Sequence, residues 1–231
     1  MKTIGLLGGM SWESTASYYQ LINQEVNKRL GGLSSAKICL RSVNFQEAVQ
    51  ALDGSREDLT RLLIQEALLV QKGGADCLLI CCNTVHKVAD EVGAALDIPL
   101  FHIADITGEK VKNDGKNKIG LLGSQFTMRQ SFYRNRLANK FGIEILIPEV
   151  EERIIIHRII ERLCKGKIRE QDRRSYIEII DTLEERGAEA IILGCTEIGL
   201  LLSPEACRLD LYDTAKIHAK YAVDWALSSV V

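Results

Sequence analysis

The chain has 231 residues, enough to bury a substantial core as one large domain or two small ones without disulfide or metal staples. Its 29 Lys and Arg against 31 Asp and Glu leave a net charge of -2, which gives no general pull toward nucleic acid or an anionic membrane, so a small-molecule partner is expected. Seven unevenly spaced cysteines, an odd number, fit reduced thiols of a cytoplasmic protein better than a disulfide framework.

The opening residues Met1 to Met10 carry one early positive charge and a short apolar stretch, and polar Ser11 and Glu13 follow where a secretory core would continue. A first strand over Thr3 to Leu7 is predicted instead. No apolar run approaches the roughly 20 residues that a bilayer requires. Gly5-Leu6-Leu7-Gly8-Gly9 does not complete a G-x-G-x-x-G fingerprint, so Gly8 and Gly9 predict a tight turn that brings backbone close to a small anion. Ser11 to Thr15 offers hydroxyls for a helix entrance, and the amphipathic stretch Tyr18 to Leu30 follows. The alternation then repeats: Lys37 to Val43 before Arg56 to Gln71, and Cys77 to Cys82 before His86 to Leu96. This order predicts parallel β/α units with helices on both faces of the sheet. Further along, Arg153, Arg158 and Arg162 recur at helical spacing beside Glu151, Glu152 and Glu161, the pattern of a solvated ion-paired face.

An internal repeat organises the whole. Ile4-Gly5-Leu6-Leu7-Gly8 returns as Ile119-Gly120-Leu121-Leu122-Gly123, displaced by 119 − 4 = 115 residues. The stretch Gly74 to Thr84 returns as Gly187 to Glu197, displaced by 187 − 74 = 113, which lays Cys82 on Cys195. The expected fold is therefore α/β with two pseudo-symmetric lobes, each a mainly parallel sheet flanked by helices, and the active site between them. The first lobe is placed at 1–104 with a C-terminal helix over 213–231, and the second at 105–212. Without low-complexity sequence or a Gly/Ser linker, the boundary is expected to be tight.

Each cysteine ends a strand and is followed by polar residues, Asn83-Thr84 in one half and Thr196-Glu197 in the other, where ligands of parallel sheets gather. A pair of thiols related by a quasi-two-fold can serve opposite faces of one carbon, one sulfur removing a proton and the other returning it. A thiol suits both roles because its pKa of about 8.5 is readily lowered at a helix N-terminus. Asn83, Thr84, Thr196 and nearby backbone N–H groups are placed to hold an α-carboxylate. Cys81 and Cys82 are adjacent, so on a strand only one of them enters the cleft, and the repeat selects Cys82. Cys39, Cys77, Cys164 and Cys207 read as small apolar core residues. No metal site is expected: Cys77, Cys81, Cys82 and His86 match no C-x-x-C spacing, and His86 reads as a polar residue in the first turn of a helix.

With Gly8-Gly9-Met10-Ser11-Trp12-Glu13-Ser14-Thr15, Cys82-Asn83-Thr84-Val85-His86-Lys87 and Gly194-Cys195-Thr196-Glu197-Ile198-Gly199-Leu200-Leu201, the sequence resembles the aspartate/glutamate racemase family over essentially its whole length. The resemblance implies two lobes around a shared cleft, an aspartate or glutamate substrate, no pyridoxal phosphate or other cofactor, Cys82 and Cys195 as catalytic residues, and a homodimer. It suggests Met10, Asn83, Thr84, Thr196 and Glu197 around the substrate, with Gln50, Thr127 and Lys165 as further contacts. Some relatives carry a Lys one position earlier, where this chain has Cys164, and the stretch Gln46 to Arg56 aligns with a gap. Lys165-Gly166-Lys167 with Arg169 also fits an exposed corner. Glu197 separates the chain from glutamate racemases of cell-wall synthesis, which usually have His there. Relatives with Thr in place of the first cysteine are one-sided, so Cys82 favours two-sided chemistry. Hydantoin racemisation, malonate-type decarboxylation and ligand binding without turnover are the alternatives on the same scaffold.

Overall fold

A computed structural model describes residues 1–203 and 206–228, and its backbone divides into two units: Met1–Ile103 with the described part of Ala215–Val231, and Ala104–Thr214. Residues 229–231 of the expected C-terminal segment lie outside the described residues.

In the first unit the run Ile-Gly-Leu-Leu-Gly forms β1 (Ile4–Gly8), buried at every position, which pairs in parallel with β2 (Ile38–Ser42) on one side and β3 (Cys77–Ile80) on the other. Alternation sorts its side chains into two cores. Ile4, Leu6, Cys77, Leu79 and Cys81 meet Tyr18, Ile22 and Val26 of α1 (Trp12–Leu30) and the Ala219, Ala222 and Val223 row of the C-terminal helix Thr214–Leu227. Leu7, Leu78 and Ile80 face the other way, onto Ala48 of α2 (Phe45–Asp53) and Leu59, Leu63 and Val70 of α3 (Arg56–Lys72). Each fully buried Leu or Ile contributes about 1.5–3 kcal/mol relative to exposure. The helices start where the sequence offers acceptors: Ser11 caps α1, Asn44 caps α2, and Ser55 with Asp58 forms a capping box on α3.

Two expectations change here, and one unassigned stretch gains an element. The strand predicted to reach Cys82 is paired only to Ile80, although Cys81 N–H still donates to the Leu7 carbonyl at 2.9 Å. The helix predicted over His86 to Leu96 is a 3₁₀ turn, Thr84–Val88, followed by a short α4 (Ala89–Ala94), because Val88 leaves helical geometry between them. The stretch Gln46 to Arg56, unassigned from the sequence, is mostly α2, which ends where Gly54 N–H donates to the Gln50 carbonyl at 3.0 Å.

The second unit contains α5 (Ile103–Asn113) from Ala104 onward, and a four-stranded parallel sheet ordered β5 (Glu144–Leu146), β4 (Lys118–Gly123), β6 (Ala190–Gly194), β7 (Asp210–Asp213). Helices α6 (Gln125–Arg129), α7 (Ser131–Phe141), α8 (Val150–Leu163), α9 (Glu170–Glu185) and α10 (Ile198–Leu201) complete it, and the C-terminal helix is α11. Its main core joins Leu122, Ile191 and Leu193 to Ile156, Ile160 and Leu163 of α8 and Tyr176, Ile180 and Leu183 of α9. The ion-paired face predicted on α8 is solvated at Arg158 but only partly so at Arg162, whose guanidinium pairs in two-pronged fashion with buried Asp172 of α9 at 3.0 and 2.5 Å. Packing of α8 against α9 turns Arg162 inward, and the partner carboxylate keeps it charged there.

Candidate active site

The repeat seen in sequence is a repeat of strand register. In the first unit Leu7 lies opposite Ile80, and Cys82 is the second residue beyond that pair. In the second unit Gly123 lies opposite Gly194, and Cys195 is the next residue. Gly8 and Gly123 thus end equivalent central strands, and each cysteine leaves the neighbouring strand at the equivalent point.

Glycine at those strand ends makes room for a threonine. A Cβ at Gly8 would lie 2.4 Å from the Thr15 side chain, and one at Gly123 would lie 2.9 Å from the Gly194 carbonyl oxygen and 3.3 Å from Thr127 Cβ. Gly9 adopts φ +92°, and a Cβ there would lie 2.2 Å from the Val43 carbonyl oxygen. The tight turn predicted at Gly8-Gly9 therefore exists. Within that turn Gly9 N–H donates to Thr15 Oγ1 at 2.8 Å, because α1 begins close enough to supply an internal acceptor.

Around Cys82 the first unit places Met10, buried after the glycine turn, against the same core that Cys82 and Val85 contact. Asn83 is buried and its carbonyl accepts from His86 N–H at 3.1 Å; Thr84 is half-buried and opens the 3₁₀ turn. Cys82 itself is half-buried, whereas Cys81 is fully buried on the other face of the sheet, where burial pushes its thiol far up. Gln50 is exposed on α2.

His86, expected as a polar residue in the first turn of a helix, lies in the 3₁₀ turn Thr84–Val88. It is 2% exposed, and its Nδ1 lies 2.7 Å from the Cys82 carbonyl oxygen; a carbonyl only accepts, so Nδ1 carries the proton. Its ring centroid is 4.8 Å from that of His102 and 6.0 Å from that of His218. His218 is locked in turn: Nε2 donates to the Phe101 carbonyl at 2.9 Å, and Nδ1 accepts from the Tyr18 hydroxyl at 2.9 Å. Burial first, then His86, holds the His218 pKa down to about 3, so the ring is neutral. Sequence reasoning missed His102, His218 and Tyr18 because only tertiary packing brings these three distant segments beneath Cys82.

In the second unit Cys195 Sγ donates to Glu197 Oε2 at 2.9 Å, and Thr196 Oγ1 donates to the same oxygen at 3.0 Å. Thr196 and Glu197 are both buried. Thr127 is fully buried on α6 and bonded to Ser124, and its methyl lies toward Gly194. Lys165 is exposed in the turn after α8, beside Gly166 at φ +66°. Cys164 is half-buried against the core, as are Cys39 and Cys207 in their own surroundings, and Cys77 is fully buried.

Among the described residues no three His, Cys, Asp or Glu side chains are grouped to hold a metal ion, and no helix is long and apolar enough to cross a membrane. Cys77 and Cys81 belong to one core and Cys82 to the other, which separates the thiols that a metal would need together.

A family model described as Asp/Glu/Hydantoin racemase matches residues 7–222. The crystal structure of a Yersinia pestis protein provisionally assigned as an Asp/Glu racemase is 48% identical, covers 99% of this chain and 100% of that one, and superposes with a TM-score of 0.91. An aspartate racemase homologue from Pyrococcus horikoshii is 30% identical over 98% of this chain and 99% of that one, with a TM-score of 0.85. A glutamate racemase from Persephonella marina is 28% identical over 179 residues, 72% of this chain and 64% of that enzyme, so the likeness spans somewhat under two thirds of that relative. With the matched stretch running from the first strand into the last helix and enclosing both cysteine motifs, the chain belongs to the Asp/Glu/Hydantoin racemase family.

Proposed function

We propose that this protein is an amino-acid racemase that interconverts the L and D forms of aspartate, glutamate or both, using Cys82 and Cys195 as opposed acid and base at Cα. The observation that carries this reading is the equivalent exit of the two cysteines from equivalent strands, each beside a strand-ending glycine. One sulfur, as thiolate, takes the α-proton; the opposite sulfur, as thiol, gives a proton to the other face, and the configuration inverts. Asn83 and Thr84, with backbone N–H groups adjacent to both cysteines, hold the α-carboxylate and stabilise the charge that develops as the proton leaves, while the Thr196 hydroxyl is taken by Glu197. This chemistry needs neither pyridoxal phosphate nor a metal. Hydantoin racemisation would use the same pair of thiols, whereas a decarboxylase needs only one protonating thiol.

The test is a chiral chromatographic screen of acidic amino acids and hydantoins in deuterated water, after chelation and carbonyl-reagent treatment. Aspartate or glutamate should racemise with deuterium entering at Cα, and Cys82→Ser and Cys195→Ser should each lower the rate at least 1000-fold, because a hydroxyl is a far weaker base near neutral pH. Strict dependence on pyridoxal phosphate, or full activity in either serine variant, would sink the proposal.

A further inference from the structure

The two thiols have unequal surroundings. Two residues after Cys82 stands Thr84, and two residues after Cys195 stands Glu197, so the repeat replaces a hydroxyl by a carboxylate. Glu197 is 3% exposed, and one oxygen of it accepts from both the Cys195 thiol and the Thr196 hydroxyl. We infer that Glu197 sets the resting division of labour, holding Cys195 as the protonated thiol of the pair and leaving Cys82 as the base of the free enzyme. This rests on the two-thiol reading above, with Glu197 acting through Cys195 as a positioning residue.

The physical reason lies in what the bond requires. A sulfur donates to a carboxylate only while it carries its proton; as a thiolate in this half-buried site it would set a second negative charge against a buried carboxylate. Two further groups near the thiol, a cysteine and a tyrosine, are not cationic. Cys164, at the end of α8, and Tyr176, on α9, both interact with Cys195, and Tyr176 also faces Asp172, which Arg162 already neutralises. Burial, followed by the Glu197 carboxylate and Cys164, keeps the Cys195 thiol well above its ordinary range.

The proton balance follows. From the resting form, the Cys82 thiolate breaks the Cα–H bond and becomes a thiol, while the electron pair left on carbon takes the proton of Cys195, which becomes a thiolate. The enzyme is then in the opposite protonation form. Loss of the Cys82 proton to water and gain of one from water at Cys195 restore the start. Glu197 favours this reset, since it removes a thiolate from beside a carboxylate.

The experiment measures each thiol in the free enzyme without turnover. Iodoacetamide labelling rates at Cys82 and Cys195 are followed against pH by peptide mass spectrometry, and the midpoint of each curve is read, because access scales a rate without moving its midpoint. In the wild type the Cys82 midpoint should lie at least one pH unit below that of Cys195. Glu197→Gln should bring the Cys195 midpoint down by at least one unit, a tenfold rise in thiolate fraction at a given pH, and Glu197→Asp should restore it at least in part. Coincident midpoints in the wild type overturn the inference without use of any variant, as does an unmoved Cys195 midpoint in folded Glu197→Gln. Should racemisation be absent while the midpoints behave as described, the proposed function fails and the assignment of Glu197 to Cys195 stands.

Discussion

The Nδ1–H of His86 donates to the carbonyl oxygen of Cys82 at 2.7 Å, tying a buried imidazole to the backbone of the proposed catalytic thiol. The peptide that carries Cys82 is thereby fixed just past the end of β3, where the ladder no longer holds it.

Replacing His86 by Ala should therefore lower kcat of racemisation by about tenfold to a hundredfold through loss of positioning, with a smaller change in KM. His86→Asn can present a donor at a similar place and should recover part of the loss. Steady-state kinetics of both variants check this, and equal kcat in wild type and His86→Ala would overturn it.

Below the histidine cluster, His218 links stability to pH. Its folded pKa of about 3 lies below the ordinary 6.5, so between these values the unfolded chain binds the extra proton and stability falls as pH drops. From pH 7 to pH 5 this group alone should remove about 2 kcal/mol. Urea denaturation of wild type and His218→Gln at both pH values isolates it: the variant should be less stable at pH 7, and the gap should shrink by about that amount at pH 5. A gap independent of pH would show that His218 does not titrate as described.

In the second unit partly exposed Arg162 is paired with buried Asp172. Arg162→Leu leaves the Asp172 carboxylate buried without its partner and should cost about 2–4 kcal/mol. Adding Asp172→Leu should recover most of that, since an apolar pair of similar volume needs no desolvated charge. Thermal unfolding of the single and double variants decides it, and a double variant as unstable as Arg162→Leu would contradict the account.

The glycine turn gives the sharpest steric forecast. Gly9→Ala combines a Cβ 2.2 Å from the Val43 carbonyl with φ +92°, and should destabilise the protein by about 2 kcal/mol or more. Gly31→Ala also has positive φ but would meet nothing within 4 Å, so it isolates the backbone contribution and should cost about 1 kcal/mol. Denaturation midpoints that rank these two the other way round would refute the packing argument.

Parallel strands, their flanking helices and the paired cysteines were legible in the sequence because each leaves a local trace. Ile4-Gly5-Leu6-Leu7-Gly8 and its copy at Ile119 are short apolar runs ending in glycine, and Cys82 and Cys195 fall on one another through a near-constant displacement. The helix caps at Ser11 and Ser55 are equally local, since a hydroxyl and the N–H it accepts from lie three residues apart. Tertiary structure alone decided matters that depend on residues distant in sequence. Nothing near His86 announces that α11 delivers His218 to its neighbourhood, or that Tyr18 and Phe101 set the His218 tautomer. The fate of the Gly9 N–H, taken by Thr15, and of Arg162, turned onto Asp172, could not be read from spacing, because a spacing names the face of an element but not what packs against it. Likewise the sequence placed Glu197 two residues from Cys195, and only the fold showed that its carboxylate turns back onto that thiol, the geometry from which we infer unequal roles for the two cysteines.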